Sequence, residues 1–179
     1  DPQVQAAIGR DQSQALTQSV VDSLRTAGVD ALNFDLLYGL PFQTPKSLAA
    51  TLDAALAMGP SRIALFGYAH VPWMSKRQAL IPSDALPKAE ARLALFDQAR
   101  RTLLGQGYVQ IGIDHFAKPG DPLAQAAFDK RLKRSFQGYT DDRAPWLVGL
   151  GASAISTYPQ GFAQNIATIK EATSDGAQS

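Results

Sequence analysis

The sequence predicts an α/β fold of parallel strand–helix units. Three observations predict it. Short, mostly apolar runs alternate with stretches whose apolar residues recur at helical spacing. Glycine and proline mark nearly every boundary between them. The connections between successive strand-like runs exceed about twenty residues, long enough for a crossover helix and too long for a hairpin.

The elements follow in order. Asp1-Pro2 reads as a turn. Asp11 or Ser13 caps a helix that runs to about Ala27, with Leu16, Val20 and Leu24 on one face and Gly28 as its stop. ALNFDLLYG, residues 31–39, reads as a buried strand interrupted by Asn33 and Asp35. Thr44 caps the next helix, with Pro45 at its first position and Gly59-Pro60 at its end. RIALFGY, residues 62–68, is a second buried strand. After a loop with prolines at 72, 82 and 87, a third helix runs from about Pro87 to Leu104. YVQIGID, residues 108–114, is a third strand. A short helix spans about 122–132, and RSFQGYTDDRAP is irregular. WLVGLG, residues 146–151, is a fourth strand, GASAIS enters a turn or short helix, and EATSDGAQS is a tail.

The chain has 179 residues, 45% of them apolar and 18% charged, the balance of a folded protein with a substantial core. A net charge of +1 gives no electrostatic support for nucleic acid or an anionic membrane as partner. No apolar run reaches membrane-spanning length. The start DPQVQAAIGR lacks the apolar core of an export signal, so a cytoplasmic location is expected. Cysteine is absent, which excludes thiolate nucleophiles, disulfides and iron–sulfur ligation by this chain. With two histidines, His70 and His115, a multi-histidine metal site is nearly excluded as well.

In parallel α/β folds, functional groups collect at the carboxyl ends of strands. The first strand carries Asp35 and ends at Tyr38-Gly39. The second ends at Gly67-Tyr68-Ala69-His70, the third at Asp114-His115-Phe116, and the fourth at Gly149 to Ser156. Each has a structural alternative. Asp35 either contacts a ligand or accepts N–H groups from a loop, since a buried carboxylate needs a partner. Each histidine is either ligand-facing or a hydrogen-bonded structural residue. Gly149 and Gly151 either admit a ligand or form a tight turn. GLGASA lacks the third glycine and the long helix of a dinucleotide fingerprint. Asp114-His115 invites a hydrolase triad, but no nucleophile can be named and no nucleophile elbow is present.

Five segments carry a resemblance: NFDLLYGLPFQTPKSL (33–48), LFGYAHVP (65–72), IGIDHFAKPGDPLA (111–124), RSFQGYT (134–140) and GLGASAIS (149–156). Together they resemble the oxygen-independent coproporphyrinogen III oxidases, in order and without large gaps, from residue 1 to about 165. Related radical S-adenosylmethionine (SAM) proteins, heme chaperones among them, share the DLLYGLP type of segment. IGIDHFA with RSFQGYT is more specific to the oxidases.

The resemblance implies the second half of an incomplete (β/α)6 radical SAM barrel over residues 1–165. Residues 166–179 would begin the connection to a C-terminal domain outside the chain. It implies SAM and a [4Fe–4S] cluster as cofactors, the cluster being ligated by missing parts of the same polypeptide that carry a cysteine triplet. Coproporphyrinogen III is the implied substrate. Hydrogen abstraction at two propionates, with loss of carbon dioxide and an electron, would leave the vinyl groups of protoporphyrinogen IX. By itself the chain is expected to be inactive.

Residue by residue, Arg10 resembles a SAM-contacting arginine and Asp35 a SAM-binding aspartate. Ala69 resembles a backbone contact to the adenine. Ile155 resembles a residue near a second SAM or substrate molecule, with Gln137 beside that pocket. Arg134 is a candidate partner of a propionate, or else a surface ion pair. No catalytic residue and no metal ligand is assigned. The alternative is a non-enzymatic tetrapyrrole- or nucleotide-binding module, or a heme chaperone, derived from the same barrel.

Overall fold

A computed structural model describes residues 1–135 and 138–167. The chain divides into two compact units, Asp1–Lys130 and Arg131–Ser179.

The first unit opens with α1 (Pro2–Ala7), which the sequence reading took for a turn. The Asp1 carboxylate caps it by accepting from the N–H groups of Gln3 and Val4. Helix α2 (Gln14–Thr26) is capped by Ser13. Strand β1 (Asn33–Tyr38) leads into α3 (Pro45–Ala57), where Thr44 and Ser47 form the reciprocal cap expected of Thr-Pro at a helix start. Strand β2 (Arg62–Gly67), α4 (Ala89–Gly105), β3 (Val109–Ile111), β4 (His115–Ala117) and α5 (Pro122–Phe128) follow.

The sheet order is β1-β2-β4-β3. Strands β1 and β2 are parallel, with Asp35 opposite Ala64 and Tyr38 opposite Gly67. The expected parallel arrangement therefore holds for β1 and β2 and fails for the rest of the sheet. Strands β3 and β4 form an antiparallel hairpin, and β4 runs antiparallel to β2. The run YVQIGID, expected as one strand, turns back on itself after Ile111. That turn brings His115 opposite both Ile111 and Ala64.

One face of the sheet packs under α3 and α4. Leu48 and Leu52 from α3 and Leu95, Ala99 and Leu103 from α4 meet Ile63, Leu65 and Phe116, and all are buried. Truncating one of these leucines should cost about 2–5 kcal/mol. Phe34, Leu36 and Tyr38 join this core from β1, while Asn33, Asp35 and Leu37 on its other face stay exposed. Strand β1 is therefore one-sided and lies at the sheet edge, not buried on both faces as its apolar run suggested. Its alternating burial is the period-2 pattern of an extended chain covered on one side.

Among the described residues of the second unit are two antiparallel strand pairs. Strands β5 (Lys133–Ser135) and β6 (Gly138–Thr140) pair, in a segment expected to be irregular. Strands β7 (Ile155–Tyr158) and β8 (Gly161–Gln164) pair as well. Residues 146–151, expected as a strand, contribute a single bridge from Leu147 to Thr157. The strand instead begins at Ile155, where a turn or short helix was expected. No helix among the described residues is long and apolar enough to cross a membrane.

Candidate functional site

Asp35 projects from the uncovered face of β1, where its Oδ1 accepts from Asn33 Nδ2 at 2.8 Å. Residues two apart on a strand share a face, so this bond follows from the local sequence Asn-x-Asp. Beside it, a groove of about 900 Å3 runs along the free edge of β1. Arg10, Gln12, Asn33, Asp35 and Thr51 are among the residues lining it. Arg10 is exposed, and its Nε reaches Gln12 Oε1 at 3.4 Å. Gln5 Nε2 donates to the Gln12 carbonyl at 2.7 Å, tying the end of α1 to the loop before α2. The structure thus brings Arg10 and Asp35 to one groove, offering a cation and a carboxylate to the same ligand.

Ala69 lies in the loop that follows β2, outside that groove. It is exposed, and its carbonyl accepts from Gln78 Nε2 at 3.2 Å. The same Gln78 side chain takes the Val71 N–H on Oε1 at 2.6 Å, so one amide holds both sides of residue 70. His70 is held from both ring nitrogens, by Tyr68 Oη at 3.1 Å and Ser83 Oγ at 2.9 Å. Both partners are hydroxyls, which can donate or accept, so either neutral tautomer of the ring keeps both bonds. Burial raises the Tyr68 phenol above its ordinary value. Gln78 and Ser83 were missed by sequence reasoning, since nothing local marks a glutamine that closes a loop on its own backbone.

His115 Nδ1 meets Asp114 Oδ1 at 2.6 Å, and the ring stands edge-on to Phe66, centroids 5.8 Å apart. By strand alternation His115 shares the face that carries Asp35.

In the second unit a cavity of about 430 Å3 is lined by Lys133, Arg134, Tyr139, Trp146, Leu147 and Phe162, among others. Arg134 stacks over the Tyr139 ring, its guanidinium carbon 5.2 Å from the centroid, with Nη1 3.4 Å from Tyr139 Oη. These residues face each other because Arg134 and Tyr139 are opposite one another in the β5–β6 pair. Ile155 opens β7, opposite Gln164, and its backbone lies against Gly149. It is partly buried and does not line the cavity. Gln137 lies outside the described residues.

Among the described residues, no group of three or more histidine, aspartate or glutamate side chains is placed to hold a metal ion. The sequence contains no cysteine, so its donor set does not fit an iron–sulfur cluster. The groove with Arg10 and Asp35 does suit a zwitterionic amino-acid or ribose-bearing ligand, because it presents both signs of charge within one open volume.

No family model matches the chain. Among curated proteins it is 58% identical over 165 residues to the oxygen-independent coproporphyrinogen III oxidase of Paracoccus denitrificans, covering 92% of this chain and 37% of that protein. The chain is homologous to a segment of these oxidases. The enzyme of the same name from Cereibacter sphaeroides is 54% identical, again over 92% of this chain and 37% of the relative. A solved structure of Escherichia coli coproporphyrinogen III oxidase, described as a radical SAM enzyme, superimposes with a TM-score of 0.94 at 36% identity. It covers 99% of this chain and 41% of that one. The chain therefore spans little more than a third of the length of the curated relatives named here. The resemblance carried by IGIDHFA, RSFQGYT and the other segments is thus borne out across nearly the whole chain.

Proposed function

We propose that this chain is the portion of an oxygen-independent coproporphyrinogen III oxidase that forms part of its SAM- and substrate-facing surface. The parent enzyme would oxidatively decarboxylate two propionates of coproporphyrinogen III to vinyl groups, giving protoporphyrinogen IX. The observation that carries this reading is 58% identity to such an oxidase over 92% of the chain. Strands β1 and β2 would be neighbouring staves of a radical SAM barrel, and the unpaired edge of β1 would pair with the stave before it.

In the parent, SAM would supply the hydrogen-abstracting chemistry; the residues of this chain bind and orient. Asn33 fixes one oxygen of Asp35, leaving the other to accept from a ribose hydroxyl or an ammonium group. Arg10, across the groove, suits a carboxylate. Ala69 would meet the adenine through its backbone. Ile155 and Gln137 would border a second SAM or the tetrapyrrole. Arg134, already oriented by Tyr139, has N–H groups to spare for a propionate.

Each decarboxylation removes a hydrogen atom, an electron and carbon dioxide from a propionate. The electron needs an acceptor and the abstraction needs a cluster, and a chain without cysteine holds no iron–sulfur cluster. The isolated chain is therefore inactive in this reading. Anaerobic reconstitution with iron and sulfide, followed by assay with SAM and coproporphyrinogen III, tests it. The chain should give neither cluster absorbance nor product, while the full-length parent gives both. A stoichiometric cluster on the chain, or a parent inert toward coproporphyrinogen III, would overturn the assignment.

A further inference from the structure

At the carboxyl ends of β1 and β2 the side chain of Arg92 lies across both strands. Its Nε is 3.1 Å from where a Cβ on Gly39 would stand, and its Nη2 is 3.2 Å from where a Cβ on Gly67 would stand. Tyr38 Oη comes to 2.9 Å of that same point over Gly67. A guanidinium and a phenol thus converge on Gly67, and they come this close to its backbone because that residue has no side chain.

Neither donor is spent among the described residues. The Tyr38 hydroxyl makes no hydrogen bond among the described residues; its ring packs on Phe96, centroids 5.5 Å apart. Arg92 has neither an ion pair nor a hydrogen bond from its guanidinium among the described residues, and it is partly buried. Helix stability does not explain it either, because a cation in the first turn of α4 is opposed by the helix dipole. A partly buried guanidinium without a carboxylate calls for an anion from outside.

We propose that Tyr38 and Arg92 form an oxyanion subsite that takes a carboxylate. Tyr38 belongs to the helix-covered face of β1, whereas Asp35 belongs to the open one. Tyr38, Gly39, Gly67 and Arg92 do not line the groove of Arg10 and Asp35, so the subsite lies outside it. Resting on the function proposed above, the natural source is a peripheral carboxylate of the tetrapyrrole, which carries four around its ring. A free phosphate shares the same chemistry.

The test titrates the 179-residue chain with coproporphyrin III, the stable oxidised tetracarboxylate, and separately with inorganic phosphate at constant ionic strength. Arg92→Gln and Tyr38→Phe keep the packing stems and remove the donors. Arg92→Gln should weaken porphyrin binding about tenfold or more, and Tyr38→Phe should weaken it severalfold. Gly67→Ala should weaken it too, since a methyl there meets both donors while the backbone needs no unusual angle. The tetramethyl ester of the porphyrin should be insensitive to all three.

Weakening of phosphate but not of porphyrin would keep the subsite and reassign its ligand to an independent oxyanion. That outcome bears on the ligand and leaves the proposed parent activity to its own assay. Unchanged affinity for both probes in Arg92→Gln, or no saturable binding of either by the unmodified chain, would overturn the subsite.

Discussion

Arg62 and Asp121, 59 residues apart in sequence, meet at 2.6 Å through Nε and Oδ1. The Asp121 side chain is 1% exposed, and the same oxygen accepts from the N–H of Leu123, capping α5. Its Oδ2 has no partner among the described residues. One carboxylate thus anchors a helix to a strand and neutralises a half-buried guanidinium.

Asp121→Ala removes the cap and strands Arg62 together. The expected loss is about 2–4 kcal/mol, below the full cost of breaking a buried pair because Arg62 is 31% exposed. Urea unfolding of the two proteins measures it. A midpoint unchanged within error would show that the pair contributes nothing.

Tyr108 donates its hydroxyl to the Pro60 carbonyl at 2.5 Å, and burial raises its pKa above the ordinary value of 10.0. The folded state then holds the proton more tightly than the unfolded state does. The resulting stability is fully present below pH 10 and is lost as pH rises through the folded value. Tyr108→Phe should cost about 1–2 kcal/mol at neutral pH and make the alkaline decline shallower. Melting curves across pH 7 to about 11 should show the two proteins converging on the alkaline side. Parallel curves would remove Tyr108 as the cause.

Asp35→Ala should leave folding intact, since the residue is exposed, with a stability change within about 0.5 kcal/mol. In the full-length parent it should weaken SAM binding about tenfold. Equilibrium binding of SAM decides the matter, and an unaltered dissociation constant would take Asp35 out of the site.

Gly149 is closed to any side chain. A Cβ there would stand 2.9 Å from the backbone N, C and O of Ile155, and backbone gives way less easily than a flexible side chain. Gly149→Ala should destabilise the second unit by about 1–3 kcal/mol. Hydrogen exchange of the β7 and β8 amides should accelerate while that of β1 and β2 stays constant. Uniform acceleration in both would show that the effect is not local.

What the sequence made legible was what short-range chemistry decides. Ser13, Thr44-Pro45 and Gly59-Pro60 mark α2 and α3 because caps and stops act within a turn. Strands β1 and β2 were legible from their apolar runs. The reversal after Ile111 was not, because YVQIGID scans as continuous and its pairing with β4 is decided by β2, more than forty residues upstream. The one-sidedness of β1 was hidden in the same way, since an apolar run does not say how many faces are covered. In the site, Asp35 stood out as a charge in an apolar strand. That Arg10 lines the same groove follows from the path of α1, a short helix whose local signs, the Asp1 cap and Pro2 at its first position, also read as a turn. The pairing of Tyr38 with Arg92 needed coordinates, because the two lie far apart in the chain, one closing β1 and the other in the first turns of α4.

The double grip of Gln78 has a chemical ageing consequence. Spontaneous deamidation would exchange its nitrogen for an oxygen while keeping the shape of the side chain. The bond to the Val71 N–H would survive, and the contact with the Ala69 carbonyl would turn from attraction to repulsion. A one-dalton change at this position would therefore unlatch one half of the loop beside His70 and leave the other half fastened.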